Sequence, residues 1–128
     1  MVKKVLCLVL GLLLFLGNTV ALAETRISPK YVNTDIVTAN LSISSKGVAT
    51  CSGTVSPSGK YESTISVNLQ KKNGSSWSTI KTWTGSGSTL MGCSASGTYT
   101  VSRGTYRVYV CGYVGTEFFS KYSAEKTY

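Results

Sequence analysis

From Ile36 to the C-terminus, apolar and polar residues alternate in short runs separated by turn-forming residues. That period of two is the pattern of β-strands with one buried face. In the first run Val37, Ala39, Leu41 and Ile43 share a face, opposed by Thr38, Asn40 and Ser42. Lys46-Gly47 turns the chain. In the second run Ala49, Cys51, Gly53 and Val55 form the apolar face, and Pro57-Ser58-Gly59 ends it. The third run points Ile65, Val67 and Leu69 inward and Thr64, Ser66, Asn68 and Gln70 outward. A fourth run covers Trp77 to Thr84 and is followed by the flexible Gly85-Ser86-Gly87-Ser88. A fifth, less regular, runs from Thr89 to Val101, and Arg103-Gly104 turns. The sixth has Tyr106, Val108 and Val110 on one face and Arg107, Tyr109, Cys111 and Tyr113 on the other. The seventh covers Phe118 to Thr127, and alternation leaves its inward face open between Phe118 and Phe119.

The third and fourth runs are joined by Asn73-Gly74, a strong hairpin signal because both residues tolerate positive φ. A two-residue Asn73-Gly74 loop pairs Lys72 with Ser75, Gln70 with Trp77, Val67 with Ile80 and Thr64 with Trp83. In that register one outer face displays Trp77, Trp83, Tyr109 and Tyr113 beside Ser66, Asn68 and Gln70. Flat rings next to amides and hydroxyls predict a platform for a sugar or a peptide, since a contiguous exposed aromatic patch marks binding or association. A loop one residue longer turns both Trp residues inward instead, together with Lys81.

Seven short strands with one apolar face each predict two antiparallel sheets packed on one another, an all-β sandwich. A small closed barrel is the competing architecture.

Ahead of the strands, Lys3-Lys4, the apolar run Val5–Leu16 and Ala21-Leu22-Ala23 follow the order of a secretory signal, with cleavage after Ala23. The apolar run is shorter than the roughly 20 residues of a membrane span. The organisation expected is a signal peptide over 1–23, an extended N-terminal arm over 24–35 and one domain over 36–128. Export implies an extracellular location, where thiols tend to pair. Beyond Ala23 the chain carries 11 Lys and Arg against 5 acids, a charge of +6, and Ser and Thr fill 34 of its 105 positions.

Two stretches resemble bacterial immunoglobulin-like modules. Leu69-Gln70-Lys71-Lys72-Asn73-Gly74-Ser75-Ser76-Trp77-Ser78-Thr79-Ile80 is similar to their third-strand and fourth-strand hairpin. Gly104-Thr105-Tyr106-Arg107-Val108-Tyr109-Val110 resembles their sixth strand, with Tyr106 where a tyrosine corner sits. The chain also resembles a family of small secreted proteins from Gram-positive bacteria. Leu41-Ser42-Ile43-Ser44, Ala49-Thr50-Cys51-Ser52-Gly53, the hairpin and the ending Lys121–Tyr128 carry that likeness. The resemblance implies an Ig-like sandwich of about seven strands and secretion; it implies no activity. Antibody-type domains bridge their second and sixth strands, here Cys51 and Cys111. Cys111 alternates outward, and a disulfide needs Cα atoms within about 7 Å. Cys93 has inward parity on the fifth strand, the second strand's neighbour in this fold. The expected bridge is Cys51–Cys93, with Cys111 the leftover thiol and a route to a dimer.

The absence of His removes the usual base for a catalytic Cys or Ser and the commonest metal ligand. Five dispersed acids offer no defined carboxylate pair. No catalytic residue, metal site or cofactor is therefore expected. The basic residues are scattered, with Lys71-Lys72 the one pair beyond Ala23, unlike the clustered stripe of a nucleic-acid binder. The expectation is a secreted, non-enzymatic binding module at or near the cell surface. Its expected partner is a glycan, a peptide or an anionic surface polymer, without nucleic acid and without stable membrane insertion. The alternative is a small cationic effector, antimicrobial or competitive, acting on anionic envelopes.

Overall fold

A computed structural model describes residues 31–128. The expected signal peptide, its expected cleavage point after Ala23 and the expected arm up to residue 30 lie outside the described residues. The rest is all-β, with no helix among the described residues. The strands are β1 (Thr34–Ile43), β2 (Val48–Pro57), β3 (Ser63–Asn73), β4 (Ser76–Gly87), β5 (Cys93–Thr100), β6 (Thr105–Val114), β7 (Glu117–Tyr122) and the short β8 (Lys126–Thr127). β1 thus begins within the stretch expected as arm. The stretch expected as one seventh strand is divided into β7 and β8.

Two antiparallel sheets result, an arrangement compatible with a β-sandwich rather than one closed barrel. One has the order β1-β2-β5; the other has the order β4-β3-β6-β7, with β8 pairing the start of β6. The alternation is met on β1, β2, β3 and β6. Val37, Leu41, Ala49, Cys51 and Val55 from the first sheet join Ile65, Val67, Leu69, Tyr106, Val108 and Val110 from the second in one core cluster. Gly53 lets the inner faces approach: a Cβ there would lie 2.7 Å from a Val110 methyl and 2.9 Å from one of Val67. Tyr106 is buried among them and donates its hydroxyl to Ser102 O at 2.8 Å. On β7 the open choice resolves to Phe119, which is fully buried, while Phe118 is 48% exposed.

One carboxylate ties the start of β1 to the start of β7. Glu117 accepts from the backbone N–H of Val32 at 2.7 Å, of Asn33 at 3.0 Å and of Thr34 at 2.9 Å. Partial desolvation works to raise its pKa, but these donations outweigh it and hold the carboxyl below its ordinary value. Further along, Lys121 Nζ donates to Val37 O at 3.2 Å.

Two expectations are corrected. The β3–β4 loop is Gly74-Ser75, because Asn73 itself pairs with Ser76. Gly74 has φ +64° and no other residue of the turn has positive φ, the pattern of a type II′ turn with Gly at its first central position. Trp77 therefore pairs with Lys72 and not with Gln70. The pairing then shifts by one between Leu69 and Gln70, where Ile80 is the extra residue of β4. Such a bulge reverses the parity of everything after it. Trp83 lands opposite Val67 and turns inward, away from the face expected to display it.

The second correction concerns the cysteines. Cys51 pairs with Gly97 and Cys93 with Val55. The two share a face, as their parity requires, but stand four register positions apart, about 13 Å along the strands. That distance rules out the expected bridge. Cys51 and Cys93 are thiols. Burial pushes the Cys51 thiol up to about 11, which keeps it protonated and inert.

Candidate ligand-binding face

Hydrogen-bond register places the outward residues of β4, β3, β6 and β7 of the five-stranded sheet in rows. Ser86, Thr64, Tyr113 and Phe118 form one; Thr84, Ser66, Cys111 and Ser120 the next; Thr82, Asn68, Tyr109 and Tyr122 the third. Thr79, Gln70 and Arg107 follow, then Trp77 beside Lys72. Strand alternation produces the columns, and the order β4-β3-β6-β7 sorts them. Hydroxyls and amides come from β4 and β3, and aromatic rings come from β6 and β7.

The first two rows enclose an open trough of about 590 Å³. Thr64, Ser66, Thr84 and Ser86 supply its hydroxyls, and Tyr113 and Phe118 supply its rings, with Cys111 also in the lining. Tyr113 and Phe118 meet edge to face, with centroids 5.5 Å apart. Both rings are about half exposed, an unusual allotment for large apolar groups unless something covers them.

The lower rows are built around Arg107. Its guanidinium lies 4.2 Å from the Trp77 ring centroid and 4.1 Å from that of Tyr122. Arg107 Nε donates to Gln70 Oε1 at 2.7 Å, and Gln70 Nε2 donates to Thr79 Oγ1 at 3.2 Å. Tyr122 also packs on Tyr109, with centroids 4.7 Å apart. Desolvation, then the neighbouring Cys111 and Tyr122, raise the Tyr109 pKa, so this phenol stays neutral.

The residues singled out from sequence thus divide. Trp77, Tyr109 and Tyr113 stand on the outer face as expected. Trp83 does not: its indole packs over Gly97, where any Cβ would collide with it, and against the core. Asn68 is on the face, but its amide is spent within the sheet. Nδ2 donates to Tyr109 O at 3.0 Å, and Oδ1 accepts from Thr82 Oγ1 at 2.8 Å. Gln70 holds Arg107 in place. Cys111 faces outward, with Asn68 Nδ2 3.9 Å from its sulfur.

Sequence reasoning placed Ser66 on this face but did not single out Arg107, Phe118 and Tyr122 or the trough hydroxyls of Thr64, Thr84 and Ser86. Arg107 had the right parity, but its partners were not readable. Tyr122 depends on which of two adjacent Phe residues turns inward, and Trp77 depends on the loop register.

No group of three or more His, Cys, Asp and Glu able to hold a metal occurs among the described residues. No helix among them is long and apolar enough to cross a membrane. The chain matches no protein-family model, and no curated protein matches it.

Proposed function

We propose that this chain is a non-enzymatic binding module of the Ig-like sandwich class, exported by its N-terminal leader and acting at or near the cell surface. The observation that carries the reading is the outer face of the five-stranded sheet. It juxtaposes a hydroxyl-lined trough and four rings, the exposed Tyr113, Phe118 and Tyr122 and the half-buried Tyr109. Rings give large contact area at small entropic cost, and fixed hydroxyls give direction, the combination that concave ligand sites use.

The Ig-like assignment is supported by the order β1-β2-β5 against β4-β3-β6-β7. It is also supported by the Tyr106 hydroxyl bond to Ser102 O, four residues upstream, as a tyrosine corner makes. The likeness to small secreted Gram-positive proteins supports the location. A binding role is favoured over catalysis because the outward positions of β3, β4, β6 and β7 carry no carboxylate among the described residues and the sequence contains no His to act as a base.

The test is a glycan and peptide array probed with the purified protein and with a Tyr109→Ala/Tyr113→Ala variant of unchanged thermal stability. Specific binding that the double substitution weakens about tenfold or more supports the reading. Absence of any binding, or equal binding by the variant, defeats it.

A further inference from the structure

We infer that Arg107 is an anion-binding fork at one end of this face, and that the ligand is a polysaccharide bearing ring carboxylates. The inference rests on the outer-face reading above and adds the ligand class to it.

The guanidinium is held on three sides. Trp77 covers one face at 4.2 Å, Tyr122 covers the other at 4.1 Å, and Gln70 Oε1 takes Nε at 2.7 Å. The terminal nitrogens have no protein partner among the described residues. A planar cation fixed in this way has already lost its rotamer freedom, so binding through it costs little further ordering. It is also only half exposed, which strengthens its field. Among the described residues no Asp or Glu occupies an outward position of β3, β4, β6 or β7, and Glu125, the residue before β8, makes no ion pair with Arg107. Lys72, whose Nζ lies 5.9 Å from the Trp77 ring, adds a second positive charge at the same end. No carboxylate of the described residues contacts this charge, and the complementary occupant is an anion.

The geometry favours a carboxylate on a sugar ring. Parallel N–H groups of a guanidinium match the two oxygens of a planar carboxylate. The next row places the Tyr109–Tyr122 pair beside the fork, where the ring that carries the carboxylate stacks. Beyond it lie Thr84, Thr64, Ser86 and the trough, ready for sugar hydroxyls. From Arg107 to Tyr113 the face runs six residues, about 20 Å, long enough for several linked rings. An acidic peptide satisfies the fork but leaves this hydroxyl floor unused.

Calorimetric titration decides it, using the purified protein at fixed salt. The probes are oligogalacturonate, its methyl ester, a neutral cello-oligosaccharide, polyglutamate and polyphosphate. Oligogalacturonate is expected to bind, with the methyl ester about tenfold or more weaker, the usual cost of losing a charge-assisted pair. Arg107→Gln and Arg107→Lys should both lose at least about tenfold, the second because it keeps the charge and removes the fork. Lys46→Gln, an equal charge loss at an exposed turn, should bind like wild type. Full affinity in Arg107→Lys overturns the fork, as does an equal loss in Lys46→Gln. Equal or tighter binding of polyglutamate or polyphosphate overturns the glycan assignment. Binding of the neutral oligosaccharide with no response to Arg107→Gln overturns this inference and leaves the binding face standing. Failure of every probe to bind overturns both. Should Arg107→Gln lose thermal stability, the ester comparison and Arg107→Lys still decide.

Discussion

On the three-stranded sheet the centre of the outer face is a grid of Thr38, Thr54 and Ser94, then Asn40, Ser52 and Ser96, then Ser42, Thr50 and Thr98. Every one is small and neutral, and neighbours bond sideways, as Thr38 Oγ1 does with Thr54 Oγ1 at 2.6 Å. The outer face of the five-stranded sheet obeys the same alternation but carries three half-exposed rings, the more buried Tyr109, a stacked cation and a trough. Both faces satisfy the requirement that the solvent side of a sheet be polar or half-polar. The first face exposes apolar side chains only singly, at Ile36 and Val48, whereas the second gathers Tyr113, Phe118 and Tyr122 on one side. Period-two patterning therefore accounts for most of the first face and for less of the second; the remainder is what the proposed ligand would cover.

Four measurements sharpen or break this contrast. The largest effect belongs to two neighbours on opposite sides of β7. Phe119→Ala should cost about 3–5 kcal/mol of unfolding free energy in urea titrations, because it empties a fully buried site. Phe118→Ala should cost within about 0.5 kcal/mol, since that ring faces the trough and solvent. Comparable losses would mean that Phe118 is structural and remove one wall of the proposed site.

Next comes the carboxylate that stitches β1 of one sheet to β7 of the other. Because the folded Glu117 carboxyl is held below its ordinary value, its contribution is complete above the usual carboxylate range. That contribution is lost as pH falls through the folded value. Melting temperature should drop on acidification, and Glu117→Gln should start lower at neutral pH and decline less steeply. Parallel curves for the two proteins would assign the acid sensitivity elsewhere.

A smaller signal separates the two indoles. In Trp77→Phe the remaining emission should be blue-shifted and resist iodide, and in Trp83→Phe it should be red-shifted and more readily quenched. The reverse assignment would put the bulge in the wrong place. Least of all should happen on the hydroxyl grid. Ser52→Ala with Ser96→Ala should change stability by within about 0.5 kcal/mol per site and leave ligand binding unaltered. Lost binding there would show that the two faces had been assigned the wrong way round.

Much of this contrast was legible before any coordinates. Alternation alone placed Val37, Leu41, Cys51, Val67 and Val110 inside, and Arg107, Tyr109 and Tyr113 outside. What escaped was position along a strand rather than face. Parity put Cys51 and Cys93 on one side of neighbouring strands, yet parity carries no information about which residues stand opposite. The separation of the two cysteines is a property of register, set by hairpins and loops far from either. Trp83 escaped for a related reason. A bulge has no sequence signature in a run such as Ser78-Thr79-Ile80-Lys81-Thr82, where hydroxyls suit either side. Tyr122 escaped because two adjacent Phe residues make alternation ambiguous. The binding face is thus half readable: its β6 column follows from the sequence, and its β4 and β7 columns require pairing.

The extra residue at Ile80 has a consequence for how this hairpin tolerates change in length. Substitutions along β4 alter one contact each. Removing Ile80 instead restores unbroken pairing and rotates every later residue of the strand by half a turn. Trp83 then leaves the cavity above Gly97 and joins the solvent side, while Thr82 and Thr84 are driven toward the apolar interior. One codon, in frame, exchanges the roles of core and surface over half a strand, so insertions and deletions, more than replacements, are what this hairpin must exclude.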